Sequence, residues 1–141
     1  MRPMYENKLT LDEELLFADE ICSTWSIHLQ KMPLSYKLDF SVIRKNKIVA
    51  FAELKCRRVS KDKYPTYLIG LSKIISAQNI HKASKKPVML CVKWTDCAGW
   101  IRLDDPDLQF DLAIGGRKDR QDWQDVEPIC FIPIEQFNII K

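Results

Sequence analysis

Apolar residues recur at helical spacing near the start of the chain. The spacings are four, three, four and three residues, at Leu11, Leu15, Ala18, Cys22 and Trp25. This periodicity is typical of one face of an amphipathic helix. It predicts a helix over residues 11–25 whose apolar stripe packs on a core, with Glu14 at the margin of the stripe.

Two strand patterns follow this helix. Residues 34–43 alternate between apolar and polar side chains, residues 44–47 are polar, and residues 48–55 are apolar on both faces until the end of the segment. Alternation predicts a half-buried strand, and a continuous apolar run predicts a strand that is covered on both faces. We therefore expect a β-hairpin whose second strand is central in a sheet.

The middle of the chain returns to helical spacing and then to strands. Residues 67–84 place isoleucines and leucines at mixed helical intervals, which predicts a second helix. Residues 88–94 and 99–103 are apolar and β-branched or aromatic, and the residues between them favour a turn. They predict a second hairpin.

The last third of the chain is less regular. Residues 104–127 contain most of the remaining charge around the sequence Gly115-Gly116-Arg117, and they predict a long irregular loop of the kind that is functional or mobile in compact domains. Residues 129–134 predict a short closing strand, and Pro133 favours an edge position because proline cannot donate a ladder hydrogen bond.

Composition narrows the class of protein. The chain has 141 residues, of which 46% are hydrophobic and 29% charged. These values predict a single globular domain over residues 1–141. No apolar run is long enough for a membrane span or a signal peptide, so we expect a protein of the cytoplasm without a membrane partner. Five scattered cysteines and two histidines disfavour a zinc site and suit free thiols in a reducing compartment.

The net charge of +3 hides a strong asymmetry. Residues 31–86 have a charge of +11, whereas the segments before and after them each have a charge of −4. A basic middle third predicts a polyanionic partner, and nucleic acid is the first to consider.

Acidic and basic residues that can take part in metal binding and catalysis cluster at the first hairpin. Glu53 and Lys55 are two residues apart and therefore share a face of their strand, and the neighbouring strand can bring Asp39 beside them. Two carboxylates and the carbonyl group of Leu54 form a partial ligand set for Mg²⁺. Lys55 would then orient the attacking water and offset charge on a phosphoryl oxygen.

The arrangement of these residues resembles the PD-(D/E)xK nuclease superfamily. Asp39 is followed by thirteen residues and then by Glu53-Leu54-Lys55, and a helix that contains glutamate precedes them. Residues 86–96 and 119–122 are also similar to small phage-encoded members of this superfamily. The resemblance implies an α/β fold with a central mixed β-sheet flanked by helices, as in restriction endonucleases, and an Mg²⁺- or Mn²⁺-dependent deoxyribonuclease. It implies that Asp39 and Glu53 bind metal, Lys55 is the catalytic lysine and Glu14 is the helical acid.

The resemblance also implies a polar residue on the helix after the triplet. Gln78 corresponds to this residue, with Lys73 and Tyr67 as weaker candidates. Leu38 stands where the superfamily has its proline. The basic residues expected to contact nucleic acid are Arg57, Arg58, Lys61, Lys63 and Lys73.

Other interpretations of the same residues stay open. Asp39, Glu53 and Lys55 could form a strand-end ion-pair cluster, Glu14 could be a helix acid favoured by the macrodipole, and the basic run could be a solvated loop. The alternative functions are a non-catalytic nucleic-acid-binding or phage assembly domain and a protein interaction module. The sequence does not distinguish an endonuclease from an exonuclease, or DNA from RNA as the substrate. It is compatible with a homodimer.

Overall fold

A computed structural model describes residues 8–32, 38–116 and 126–141 of the chain. It has two helices, α1 (Lys8–Trp25) and α2 (Leu71–Ser84). The strands are β1 (His28–Lys31), β2 (Phe40–Arg44), β3 (Lys47–Cys56), β4 (Thr66–Gly70), β5 (Val88–Lys93), β6 (Ala98–Arg102), β7 (Asp111–Gly116), β8 (Val126–Pro133) and β9 (Asn138–Ile139). Neither helix in the described ranges is long and apolar enough to cross a membrane.

The larger sheet has six strands in the order β1-β2-β3-β5-β6-β9. All neighbours are antiparallel except β3 and β5, which are parallel. Parallel strands need a long crossover connection, and β4 and α2 lie within it. The architecture is therefore an α/β fold with a central mixed sheet, as the sequence predicts.

Both predicted hairpins are confirmed by antiparallel pairing, of β2 with β3 and of β5 with β6. In the first turn, Lys45 and Asn46 have φ angles of 52° and 64°, and positive φ at both central residues is what a type I′ hairpin turn requires to match the right-handed twist of its strands. β3 is central, as expected. β2 begins only at Phe40. Residues 34–37 of the predicted strand are outside the described part of the chain. β1 is an additional strand that the sequence pattern did not indicate.

The helix α1 covers one face of the large sheet with a stripe that overlaps the predicted one only in part. Among residues 12–25, whose side chains are described, the buried ones are Glu14, Phe17, Ala18 and Ile21. Ala18 and Trp25 of the predicted stripe contact the core, whereas Leu15 is 54% exposed. Both stripes have helical spacing, so periodicity alone does not choose between them. The observed rotation buries Phe17 and Ile21 against Phe40, Val42 and Leu54, and it puts Glu14 in the interface.

The opposite face of the large sheet is covered by α2 and by a second, antiparallel sheet in the order β4-β8-β7. The predicted helix over residues 67–84 is therefore wrong at its start, because residues 66–70 pair with β8 as strand β4. Tertiary pairing decides the conformation of such a short apolar segment.

The second sheet also corrects the interpretation of the last third. Residues 104–127 are not one irregular loop, since β7 lies within them and β8 begins at Val126; residues 117–125 are outside the described ranges. The edge position predicted for the last strand is wrong as well. β8 pairs with β7 from Val126 to Phe131 and with β4 up to Pro133. Pro133 itself therefore has a strand on one side only, where a missing N–H group costs little.

Candidate active site

The alternation of β3 divides its side chains between the two faces of the sheet. Ala52 and Leu54 pack towards α1, so Glu53 and Lys55 project to the face that α2 covers. This face of the large sheet is covered by α2 and the second sheet, which shield the middle of β3 from water. Glu53 is accordingly only 1% exposed.

Two ammonium groups approach the buried carboxylate of Glu53. Nζ of Lys73, from the first turn of α2, lies 3.0 Å from Oε1, and Nζ of Lys55 lies 3.5 Å from the same atom. Both oxygens of this carboxylate are buried from water. Oε1 faces the two ammonium groups, whereas Oε2 receives neither an ion pair nor a hydrogen bond from the described part of the chain.

Asp39 joins the cluster from the residue immediately before β2, and not from within a strand as the sequence predicts. Its Oδ2 accepts a hydrogen bond of 3.3 Å from the backbone N–H of Leu54. This bond places the carboxylate of Asp39 beside β3, where its charge acts on Glu53.

Burial and charge shift the ionisation of the cluster. Burial and then the charge of Asp39 raise the pKa of Glu53, although Lys73 and Lys55 act in the opposite direction. Burial by itself would lower the pKa of Lys55, but the carboxylates of Glu53, Asp39 and Glu14 outweigh it and raise that pKa. Lys55 is therefore an ammonium ion at neutral pH, while Glu53 is held in an environment that disfavours its negative charge.

Glu14 reaches the same region from α1. Its side chain is buried, and Oε2 lies 3.9 Å from Nζ of Lys31 in β1. Its charge contributes to the raised pKa of Lys55. No sequence pattern pointed to Lys31, because β1 is only four residues long.

Gln78 does not reach the cluster. It is exposed on α2, where it lines a separate depression with Asn79, His81 and Asp104. It is five positions further along α2 than Lys73, which corresponds to a rotation of about 140° around a helix. The helical residue that the structure brings to Glu53 is Lys73, which the sequence analysis ranked below Gln78.

A cleft of about 200 Å³ opens beside the cluster. Glu53, Lys55 and Lys73 line it together with Arg57 and Tyr67. Arg57 donates a 2.8 Å hydrogen bond to the hydroxyl of Tyr67. The predicted basic run therefore begins at the cleft, whereas Arg58 contacts Glu13 of α1 at 3.2 Å.

The oxygen ligands present in the cluster suit a hard divalent cation. Within the described ranges no group of three or more His, Cys, Asp or Glu side chains is arranged around a metal position. The available ligands are the carboxylates of Asp39 and Glu53, including the unengaged Oε2, and the carbonyl group of Leu54. Mg²⁺ commonly uses one or two protein carboxylates and completes its shell with water and phosphate, so this set fits it.

The mixed sheet flanked by two helices has the restriction-endonuclease fold. The structure is similar to that of Hjc, a Holliday junction resolvase from Archaeoglobus fulgidus, with a TM-score of 0.57 and 7% sequence identity over 89% of this chain and 87% of that chain. At this identity the similarity concerns the fold.

The family follows from the sequence. Residues 1–140 match the family described as "Phage putative PDDEXK endonuclease", and the chain belongs to this family of PD-(D/E)xK nucleases. No curated protein matches the chain.

Proposed function

We propose that this protein is a metal-dependent endonuclease that hydrolyses DNA phosphodiester bonds in the cleft beside Glu53. The main support is a carboxylate that is 1% exposed, with two ammonium groups on one oxygen and no hydrogen bond from the described residues on the other. Burying such a charge is costly, and perturbed ionisable groups in a cleft are concentrated at functional sites. Membership of a nuclease family adds the class of reaction.

Asp39, Glu53 and the carbonyl group of Leu54 would hold Mg²⁺ or Mn²⁺. When bound, such an ion polarises a phosphoryl oxygen and lowers the pKa of water. The raised pKa of Glu53 supports this role, because a cation beside its carboxylate would offset the unfavourable burial of the charge.

Lys55 would bind the phosphate and orient the attacking water. An ammonium group has three donors and no acceptor, and the raised pKa of Lys55 keeps it protonated. It can therefore donate to the water oxygen and to a nonbridging phosphoryl oxygen, but it cannot take the proton of the water. Its contribution is electrostatic stabilisation of the negative charge that develops on phosphorus oxygens.

Lys73 and Arg57 would extend this positive surface. Lys73 is one third exposed and Arg57 is exposed, and both line the cleft. Contacts from such groups to flanking phosphates fix the register of a strand without selecting a sequence. Lys61 and Lys63 follow in a short 3₁₀-helix and would contact more distant phosphates.

The first experiment is cleavage of supercoiled plasmid, linear duplex and single-stranded DNA, each with EDTA, Mg²⁺ or Mn²⁺. We expect cleavage that requires a divalent ion and that falls about 100-fold or more in Lys55→Ala. Lys47→Ala is the matched control, because Lys47 starts the same strand about 26 Å away. Cleavage by Lys55→Ala at the parental rate would contradict the assignment.

A non-catalytic DNA-binding domain is the second candidate. The ion pairs of Glu53 with Lys55 and Lys73 favour it, since the same contacts could serve as a structural cluster. This function predicts salt-sensitive DNA binding that needs no divalent ion, and no cleavage under any of the conditions above.

A further inference from the structure

A second pocket adjoins the active-site cleft. It has a volume of about 210 Å³, and it shares Arg57, Tyr67 and Leu68 with the cleft. A strand with one phosphate beside Glu53 and Lys55 would therefore have a neighbouring nucleotide at this pocket. We call it the Tyr64 pocket, after the aromatic residue on its rim.

The floor of the Tyr64 pocket is apolar and aromatic. Trp94 is only 3% exposed and lines the pocket with Val59 and Ile134. Tyr64 and Leu68 also line it, and they are 56% and 52% exposed. A large aromatic side chain held half in water beside an apolar floor offers a surface on which a planar group can stack.

The polar groups of the pocket are cationic or neutral. Arg57, Lys61, Ser60 and Thr66 line it, and no acidic side chain does so among the residues described. The pocket is smaller than those that enclose drug-sized ligands, which have about 300–1,000 Å³. Its size and charge suit one planar ring attached to an anionic backbone.

The wall that contains Tyr64 is fixed before any ligand binds. Oδ1 of Asp96 accepts a 2.9 Å hydrogen bond from the backbone N–H of Lys61, and the N–H of Thr95 donates to the carbonyl group of Val59 at 3.1 Å. On the other side of Tyr64, the N–H of Ile134 donates to the carbonyl group of Pro65 at 2.9 Å. A prearranged wall reduces the entropy lost on binding.

We propose that the Tyr64 pocket binds an unpaired nucleobase of the strand whose phosphate lies in the active-site cleft. The inference rests on the proposed function, and it specifies the substrate class as DNA with single-stranded nucleotides next to the cut. A base that is paired and stacked in a duplex cannot enter such a pocket without being extruded. A base in a single strand presents its face for stacking whatever its identity.

The test measures binding in EDTA, so that it does not depend on cleavage. The probes are a short thymidine oligonucleotide, the same strand with every base replaced by an abasic sugar, and a duplex of equal length. By fluorescence anisotropy, we expect Tyr64→Ala to bind the thymidine strand about tenfold more weakly than the parent and Tyr64→Phe to retain affinity. On the abasic strand the parent and Tyr64→Ala should bind equally.

The abasic strand separates base stacking from phosphate contact. Equal losses of Tyr64→Ala on the thymidine and abasic strands would overturn the proposal, as would a loss confined to the duplex. Ile48→Ala is the matched control, because Ile48 is exposed near the opposite end of β3. The absence of metal-dependent cleavage would contradict the proposed function alone, since this binding difference is measured without metal.

Discussion

Glu53 illustrates how a single residue combines two opposing requirements. A carboxylate on a central strand loses its hydration, and the charge of Asp39 adds repulsion, so the pKa of Glu53 is raised. Lys73 and Lys55 reduce this cost without removing it. An acid in such a position destabilises the folded protein in its ionised form, which is a common property of sites that bind cations.

The two lysines reach Glu53 from different elements, and Lys73 makes the shorter contact, at 3.0 Å. Its ammonium group can therefore stabilise both the buried carboxylate and a phosphate in the cleft. Gln78 has no comparable position, because it lines a different depression.

The different positions of Lys73 and Gln78 predict that substitutions of these two residues in α2 have different effects. Lys73→Ala should lower the rate of DNA cleavage about 100-fold, as the loss of one well-placed donor does in other sites. Gln78→Ala should leave the rate within about twofold of the parent. Single-turnover cleavage of a labelled substrate measures both, and a larger loss in Gln78→Ala would restore the assignment made from the sequence.

At the scale of elements, β3 and α1 together determine the geometry of the site. The apolar side chains near the end of β3 face α1, and those of Glu53 and Lys55 face α2. The rotation of α1 about its axis decides that Glu14, and neither Glu13 nor Glu20, is buried beside β1. Glu13 and Glu20 instead pair with Arg58 and Lys93 at the surface.

The rotation of α1 predicts a sharp contrast in stability. Ile21→Ala should lower the free energy of unfolding by about 2–5 kcal/mol, because Ile21 is 1% exposed and its removal leaves a cavity. Leu15→Ala should change it by about 0.5 kcal/mol or less, since Leu15 is 54% exposed. Urea denaturation followed by circular dichroism measures both values, and the reverse order would support the stripe predicted from periodicity.

At the scale of the whole molecule, the basic middle third does not form one surface. Lys47 begins β3 about 26 Å from Lys55, and Lys45 lies in the turn just before it. Lys82, in the last turn of α2, is about 13 Å along the helix axis from Lys73. Only some of the basic residues in the segment 31–86 therefore lie at the cleft.

This distribution predicts which charges contribute to DNA binding. Lys61→Ala with Lys63→Ala should make the plot of log affinity against log salt less steep by about 1.4–1.8, because each phosphate contact contributes about 0.7 to 0.9. Lys45→Ala with Lys47→Ala removes the same charge at the remote turn and should leave the slope unchanged. Titrations in EDTA at several salt concentrations measure the slopes, and equal effects of the two pairs would indicate a nonspecific charge effect.

The sequence by itself determined the features that depend on local periodicity. Alternation and turn residues predicted both hairpins and the central position of β3, and the two-residue spacing of Glu53 and Lys55 predicted that they share a face. Asp39 could be added because adjacent strands of a hairpin are close in space. These relations hold in any sheet that contains the hairpin, so they needed no knowledge of the remaining chain.

Only the tertiary structure decided which helix residues meet this strand. The rotation of α1, the pairing of residues 66–70 with β8 and the choice of Lys73 over Gln78 each depend on contacts between segments far apart in the chain. Several stripes of a helix can have the same periodicity, and the one that is buried is the one that fills the space left by its neighbours. For the same reason the Tyr64 pocket, which joins residues from 57 to 134, has no counterpart in the local sequence pattern.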